Sequence, residues 1–442
     1  MRGRTGGVRG VDTGRGSGPD EQRERGGATA PRQDPPDPAV PRQGPSDPAA
    51  GPAPGPPRSD TPALPGTEPA DGTRSDEKAP SRPGQDTGPR PGGASPYRRL
   101  VRVWRHPRLR TPRRIALGLV LLLLLPLLAA GIALRVNYAG DPAAGTQTRN
   151  RDALWLGHAW VDGRKSDADL DALAERLRGT GIRDLYVHAG PLEHDGSLPA
   201  TAYPAAGRLI ASVHERLPGV RVQAWLGDEL ATETPDGMRL ERAATRDAVV
   251  RSAGGILDAG FDGVHFDLEP LHSGDAHYLA LLDRLHALTR ARHAPLSVAS
   301  HQIDPLPGLH SAAGTLTGHP KYWSQAYFGQ VARRVDQIAV MSYDTAMPLQ
   351  SLYGGYVAQQ TALALEVTPT STDLLIGLPF FHENKMGHSA YAETVAAAVR
   401  GTRLGLSRTD RTREHFGVAL YVDFAAMETD WTAYREGWVG KE

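Results

Sequence analysis

Three ionisable side chains stand at alternate positions between Phe261 and Pro270: His265, Asp267 and Glu269. Side chains of an extended strand alternate between its two faces. These three therefore share one face, and the apolar Val264, Phe266 and Leu268 share the other. Two carboxylates at i and i+2 on one face repel each other. Their repulsion raises the pKa of one and keeps a carboxylic acid protonated near neutral pH. An acid held protonated beside an ionised carboxylate is what glycoside cleavage requires. The competing reading is a buried, salt-bridged cluster without chemistry.

Such a strand needs a frame. Strand-like apolar runs recur over 153–160, 184–189, 220–226, 263–268, 296–300, 337–342, 374–379 and 417–422. Amphipathic helical patterns fall between them, at 167–178, 206–216, 246–259, 276–292, 322–334, 356–365 and 390–400, with a last one at 428–437. Eight alternations in this length predict an α/β fold, a (β/α)8 TIM barrel over 152–438. A doubly wound open sheet is the second expectation. No GxGxxG follows the first strand, where Trp160-Val161-Asp162-Gly163 stands, and the chain has no GxxxxGK[ST] loop and no GxSxG elbow.

A TIM barrel carries its chemistry at the C-terminal ends of its strands. Here those ends hold His188, Trp225, Asp228, Asp267, Glu269, His301, Tyr343, Asp344, Phe381 and His382. Converging acids and aromatics suggest a sugar site, since aromatic faces stack on pyranose rings and carboxylates bind hydroxyls. Trp225 and Phe381 read equally as sugar platforms or as barrel packing. Asp228, Glu229 and Glu383 read as loop charges. His188, His265, His301 and His382 could suggest a metal, but no HExxH or other tight ligand spacing is present, so no metal is expected.

The segment Asp262-Gly263-Val264-His265-Phe266-Asp267-Leu268-Glu269 resembles the DGxDxDxE signature of glycoside hydrolase family 18, the chitinase-like barrels. Met341-Ser342-Tyr343-Asp344 is similar to the family's M-[ST]-Y-D element, and Gly377-Leu378-Pro379-Phe380 to its G-[IL]-P-[FY] element. The resemblance implies that Glu269 is the catalytic acid and that Asp267 orients a substrate acetamido group. By the same likeness Tyr343 hydrogen-bonds the acetamido carbonyl, Asp344 helps bind the sugar, and Asp262 is the leading Asp. Two positions depart from the pattern. His265 replaces the inner Asp, which in the family shares a proton with its neighbour; a His there is either a cation holding Asp267 ionised or a neutral hydrogen-bond partner. Tyr421 stands where the family usually has the Trp that floors the cleavage subsite. The implied reaction is a retaining, substrate-assisted hydrolysis with no metal or organic cofactor.

The rest of the chain is strongly segmented. Of 442 residues, 1–97 hold 20 of the 37 prolines and 18 of the 50 glycines, and are expected to be a disordered cytoplasmic tail. Residues 98–114 contain 8 Arg and no acid. The uncharged run 115–134 is about 30 Å long as a helix, enough to cross a bilayer. The Arg excess on its N-terminal side places the tail in the cytoplasm and the body, after a linker over 135–151, outside the cell membrane. Residues 115–442 carry 29 basic and 37 acidic residues, which disfavours a nucleic-acid-binding body. Cys is absent, excluding disulfides, thiol catalysis and Cys-ligated metals. The expected partners are thus a polysaccharide or oligosaccharide substrate and the membrane. Three functions fit: an anchored glycosidase acting on N-acetylhexosamine polymers, a non-catalytic carbohydrate-binding barrel, and a scaffold that only displays a surface.

Overall fold

The computed structural model describes residues 110–440, apart from 233 and 312–319. The expected disordered tail over 1–97 and residues 98–109 of the Arg-rich segment lie outside the described residues.

Eight parallel strands close a barrel: β1 (Asp152–Leu156), β2 (Ile182–Pro191), β3 (Arg221–Glu229), β4 (Gly263–Glu269), β5 (Leu296–Ser300), β6 (Gln337–Val340), β7 (Asp373–Pro379) and β8 (Phe416–Tyr421). Neighbours in sequence are neighbours in space, and β8 pairs with β1 through Ala153 opposite Ala419. The expected TIM barrel is the observed fold. Its outer layer is α2 (Asp167–Leu177), α3 (Ala206–Arg216), α4 (Ala243–Asp258), α5 (Ala276–Ala291), α6 (Gln325–Ala332), α7 (Gln350–Val367), α8 (Val395–Thr409) and α9 (Glu428–Tyr434). Helix starts follow local chemistry. Ser166 and Asp169 form a capping box on α2, and Asp275 accepts the N–H groups of His277 and Tyr278 at the start of α5.

Several boundaries differ from the sequence reading. The first strand stops at Leu156 rather than 160, because the half-buried Asp423 carboxylate accepts both the Gly157 N–H (2.9 Å) and the Trp160 indole N–H (2.7 Å) and turns the chain into a 3-10 segment over His158–Trp160. The helix expected at 390–400 begins at Val395, where Thr394 caps it by accepting from Ala397 N–H. The helix expected at 356–365 starts earlier, at Gln350.

Two apolar clusters result. The larger lies between strands and helices and includes Val264, Phe266 and Leu268, the outward face of β4. The smaller fills the barrel and contains Trp155, Tyr186, Trp225, Tyr343, Phe381 and Tyr421. The lower interior is polar. Arg221 donates twice to Asp184 (2.7 Å each), whose carboxylate also accepts from the amides of Gln223 (2.8 Å) and Gln337 (2.7 Å).

The helix α1 (Arg110–Tyr138) precedes the barrel. Among the described residues it is the one helix long and apolar enough to cross a membrane, over Arg114–Tyr138. Its last turns rest on α7. A Cβ at Gly355 would overlap the Leu134 carbonyl oxygen, so this close approach depends on glycine. The chain then follows α8, with Ala143 N–H donating to Ser407 Oγ (2.9 Å).

The bottom of the barrel is tied by Asp152, fully buried in β1. It accepts from Val418 N–H (3.0 Å), Tyr434 O–H (2.8 Å) and the Trp438 indole N–H (3.0 Å). Burial pushes its carboxyl up, against these hydrogen bonds. Removing it strands three buried donors, each costing about 1–3 kcal/mol. Asp152→Ala should therefore lower stability by about 3 kcal/mol or more, read by chemical denaturation of the full chain in detergent. A change under about 1 kcal/mol would contradict this role.

Candidate active site

The alternation of β4 turns His265 and Asp267 into the barrel and brings Glu269 to its C-terminal rim. The rim acid is a quarter exposed, its side chain retaining 26% accessibility, while Asp267 is buried.

His265 answers the question its position posed. The Trp155 indole N–H points at its Nε2 (3.1 Å), so that nitrogen is an acceptor. The ring is therefore neutral, with its hydrogen on Nδ1, which donates to Ser297 Oγ (2.8 Å). Burial alone pushes its pKa well below the ordinary value. Its ring stacks on Tyr186 at 3.8 Å. The chain of bonds continues downward: Ser297 Oγ donates to Tyr186 (3.3 Å), and Tyr186 O–H donates to Gln337 (3.2 Å). His265 is thus the top of the polar spine that rises from Arg221 and Asp184. It is a hydrogen-bond partner, as one alternative had it, but of Trp155 and Ser297.

Asp267 is held by a different residue. The Trp225 indole N–H donates to its Oδ2 (3.2 Å). Its Oδ1 is buried with no hydrogen-bond partner among the described residues, and so is the Tyr343 hydroxyl. Burial pushes Asp267 up to about 6, opposed by the Trp225 hydrogen bond. Tyr343 is pushed well above 10, by burial first and then by the charges of Tyr421, Asp267, Asp344 and Glu269. It stays a neutral O–H donor. The two orphan groups are of opposite character: a carboxylate oxygen can accept from an amide N–H, and a phenol O–H can donate to an amide C=O.

The aromatic residues form the wall of this space. Tyr421 stacks on Tyr343 (5.5 Å) and meets Trp225 and Phe381 edge-on. Trp225 is buried, and its polar edge is used by Asp267, so it acts here as packing and as a carboxylate holder. Phe381 packs edge-on against Tyr343 (5.6 Å) and lies against His388 (4.4 Å).

Asp344 sits beyond Tyr343 in a left-handed backbone conformation, φ 57°. Its carbonyl accepts from Lys321 Nζ (2.6 Å), and its carboxylate faces Lys385 (3.4 Å) and His388 Nδ1 (3.0 Å). His388 also faces Glu393 (3.3 Å). Asp344, His388 and Glu393 are of metal-ligand type and converge. Two lysines already supply positive charge to Asp344, and the paired carboxylates, against the opposing effect of burial, push His388 up to about 9. An imidazolium between two carboxylates accounts for the cluster by charge. Nothing in the sequence pattern singled out His388, Glu393 or Lys385.

Asp262 is not brought to this site. It precedes β4 at its N-terminal end, where it accepts from Val222 N–H (2.7 Å) and pairs with His214 (2.8 Å). A strand of seven residues separates it from the rim. The four histidines read as a possible metal set do not converge either. His265 is in the spine, His382 pairs with Asp430 (2.8 Å), His188 lies edge-on to Trp225 (4.8 Å), and His301 faces Glu269.

No family model matches the chain, and no curated protein matches it. Solved structures do. They include the spore cortex-lytic enzyme SleL of Bacillus megaterium, at 14% identity over 66% of this chain and 75% of that one, with a TM-score of 0.47. A class V chitinase of Pseudomonas fluorescens is 12% identical over 65% and 98%, TM-score 0.44. A chitinase of Chromobacterium violaceum is 13% identical over 65% and 98%, TM-score 0.45.

The Trp225 indole favours the ionised form of Asp267. Trp225→Phe removes that donor and should raise the Asp267 pKa from about 6 by about one unit. A 13C carboxyl titration, assigned with Asp267→Asn, reads the shift; an unchanged midpoint would show that the indole does not hold the carboxylate.

Proposed function

We propose that the chain is a glycoside hydrolase that cleaves N-acetylhexosamine-containing polysaccharide by substrate-assisted, retaining hydrolysis. The observation that carries this reading is that two buried polar atoms, Asp267 Oδ1 and Tyr343 O–H, have no partner among the described residues. An acetamido group satisfies both at once, donating its N–H to Asp267 and accepting from Tyr343 at its carbonyl. The N–H given to the Asp267 carboxylate pushes electron density onto the carbonyl oxygen and makes it an internal nucleophile, while Tyr343 holds that oxygen in place.

In the first step Glu269 gives its proton to the leaving glycosidic oxygen while the acetamido oxygen attacks the anomeric carbon. The C–O bond to the leaving sugar breaks and an oxazolinium ring forms. Its positive charge is balanced by ionised Asp267, which needs a pH above about 6 for most molecules to be competent. In the second step Glu269, now a carboxylate, takes a proton from water, and the hydroxide oxygen opens the ring with retention. Asp344 is placed to bind a sugar hydroxyl beside Tyr343. Tyr421 and Phe381 line the aromatic wall, and His265 and Trp225 support the floor. Asp262 has no part in this scheme.

The same reading places the barrel, residues 152–438, outside the cell, held by 115–134 as a single membrane span. The one long apolar helix and the Arg excess before it support that arrangement. The charge of the body supports a sugar partner over a nucleic acid.

The test is hydrolysis of fluorogenic N-acetylglucosamine oligomers and of purified peptidoglycan by the full chain in detergent. Glu269→Gln should lower turnover on the order of 10³-fold. Tyr343→Phe should lower kcat by about 100-fold, since it removes the hydrogen bond that holds the acetamido oxygen in line with the anomeric carbon. Sugar binding without turnover in the unaltered chain would instead identify a carbohydrate-binding barrel.

A further inference from the structure

The inward alternation of β5 runs Ser297, Ala299, His301, so His301 arrives at the rim beside the end of β4. Its ring is buried, with Nδ1 3.4 Å from Glu269 Oε1. Its other nitrogen is committed. Leu271 N–H donates to Nε2 at 3.0 Å, which makes Nε2 an acceptor and leaves the ring hydrogen on Nδ1. Leu271 is fixed in turn, since its carbonyl accepts the Trp323 indole N–H (3.0 Å), and the His301 ring stands edge-on to Trp323 at 5.4 Å. The backbone two residues beyond Glu269 therefore sets the tautomer of the imidazole that faces it.

We infer that His301 is a positioning residue for Glu269: a neutral imidazole that holds its Nδ1–H 3.4 Å from Oε1 and confines the proton of the acid to Oε2. This rests on the reading of Glu269 as the acid and base. An oxygen facing an N–H donor is the worse place for a proton, so the protonated acid carries it on the other oxygen. After the proton has left, the same N–H stabilises the carboxylate and steadies it for attack on water. His301 cannot relay that proton, because Nε2 is occupied by Leu271 N–H and Nδ1 already bears hydrogen. The arrangement supplies a partner to Glu269 from β5, in a barrel where the inner position of β4 is a neutral His engaged with Trp155 and Ser297.

The titratable groups that face Glu269 include Asp267 on its own strand, Glu229 opposite it on β3, Tyr278 of α5, Tyr343 after β6 and Tyr421 of β8. The three phenols are pushed up chiefly by burial and remain neutral.

The experiment uses the full chain in detergent, with 15N-labelled histidine and 13C-labelled glutamate carboxyls. The histidine signal missing from His301→Phe should show hydrogen on Nδ1 and a bare Nε2. The Glu269 signal, assigned with Glu269→Gln, should titrate about one unit higher in His301→Phe and return close to its original midpoint in His301→Asn, whose amide restores a donor. On a fluorogenic oligomer, the basic limb of kcat/KM should move up with that midpoint, and kcat should fall about 10-fold. An Nε2–H tautomer in the unaltered chain, or a Glu269 midpoint indifferent to His301→Phe, would overturn the inference. If the carboxyl shifts as expected while no acetamido sugar is cleaved by the unaltered chain, the assignment of function fails and the His301–Glu269 pair stands.

Discussion

A carboxylate inside a closed barrel is costly unless its oxygens are satisfied, and the upper half of this molecule is arranged around the one at Asp267. One oxygen accepts from the Trp225 indole, and the other has no hydrogen-bond partner among the described residues. The Tyr343 hydroxyl is left in the same way, so the barrel mouth offers an acceptor and a donor together. The aromatic wall of Tyr421, Tyr343 and Phe381 keeps the surroundings apolar, which raises the strength of any hydrogen bond made there.

Beneath this level the barrel solves a second problem. His265 occupies a position where a carboxylate would add another buried charge. As a neutral imidazole it joins Trp155, Ser297, Tyr186 and Gln337 to the Asp184–Arg221 pair in a continuous chain of hydrogen bonds. Asp267 is then tuned from the side by an indole and not from below by a shared proton. At the rim, His301 stands next to Glu269. The two imidazoles have the same tautomer for the same reason, an N–H donor aimed at Nε2.

Much of this was legible in the sequence, because the strongest constraints are periodic. The period-two face of β4 predicted which residues enter the barrel, and eight strand–helix alternations predicted closure. The C-terminal ends of the strands named Glu269, Asp267, Tyr343 and Asp344. What the sequence did not carry were contacts between residues far apart in the chain. Trp225 read as a possible sugar platform, since nothing local says that its N–H meets a carboxylate on the next strand. Asp262 belonged to the matching motif yet sits at the opposite end of β4, because one strand spans the full height of the barrel. His301 read as one of four scattered histidines; its role depends on a backbone N–H thirty residues earlier in the chain. His388 and Glu393 lie in the loop after β7, where no pattern marks them.

The most direct measurement is calorimetric binding of an N-acetylglucosamine oligomer, which carries an intact acetamido N–H and C=O, to the full chain bearing Glu269→Gln. It needs no turnover and probes the acceptor and the donor. The structure predicts measurable binding that weakens by about 10-fold or more in each of Asp267→Asn and Tyr343→Phe, as loss of one good hydrogen bond requires. No binding, or binding indifferent to both substitutions, would contradict the claim that Asp267 and Tyr343 await an acetamido group.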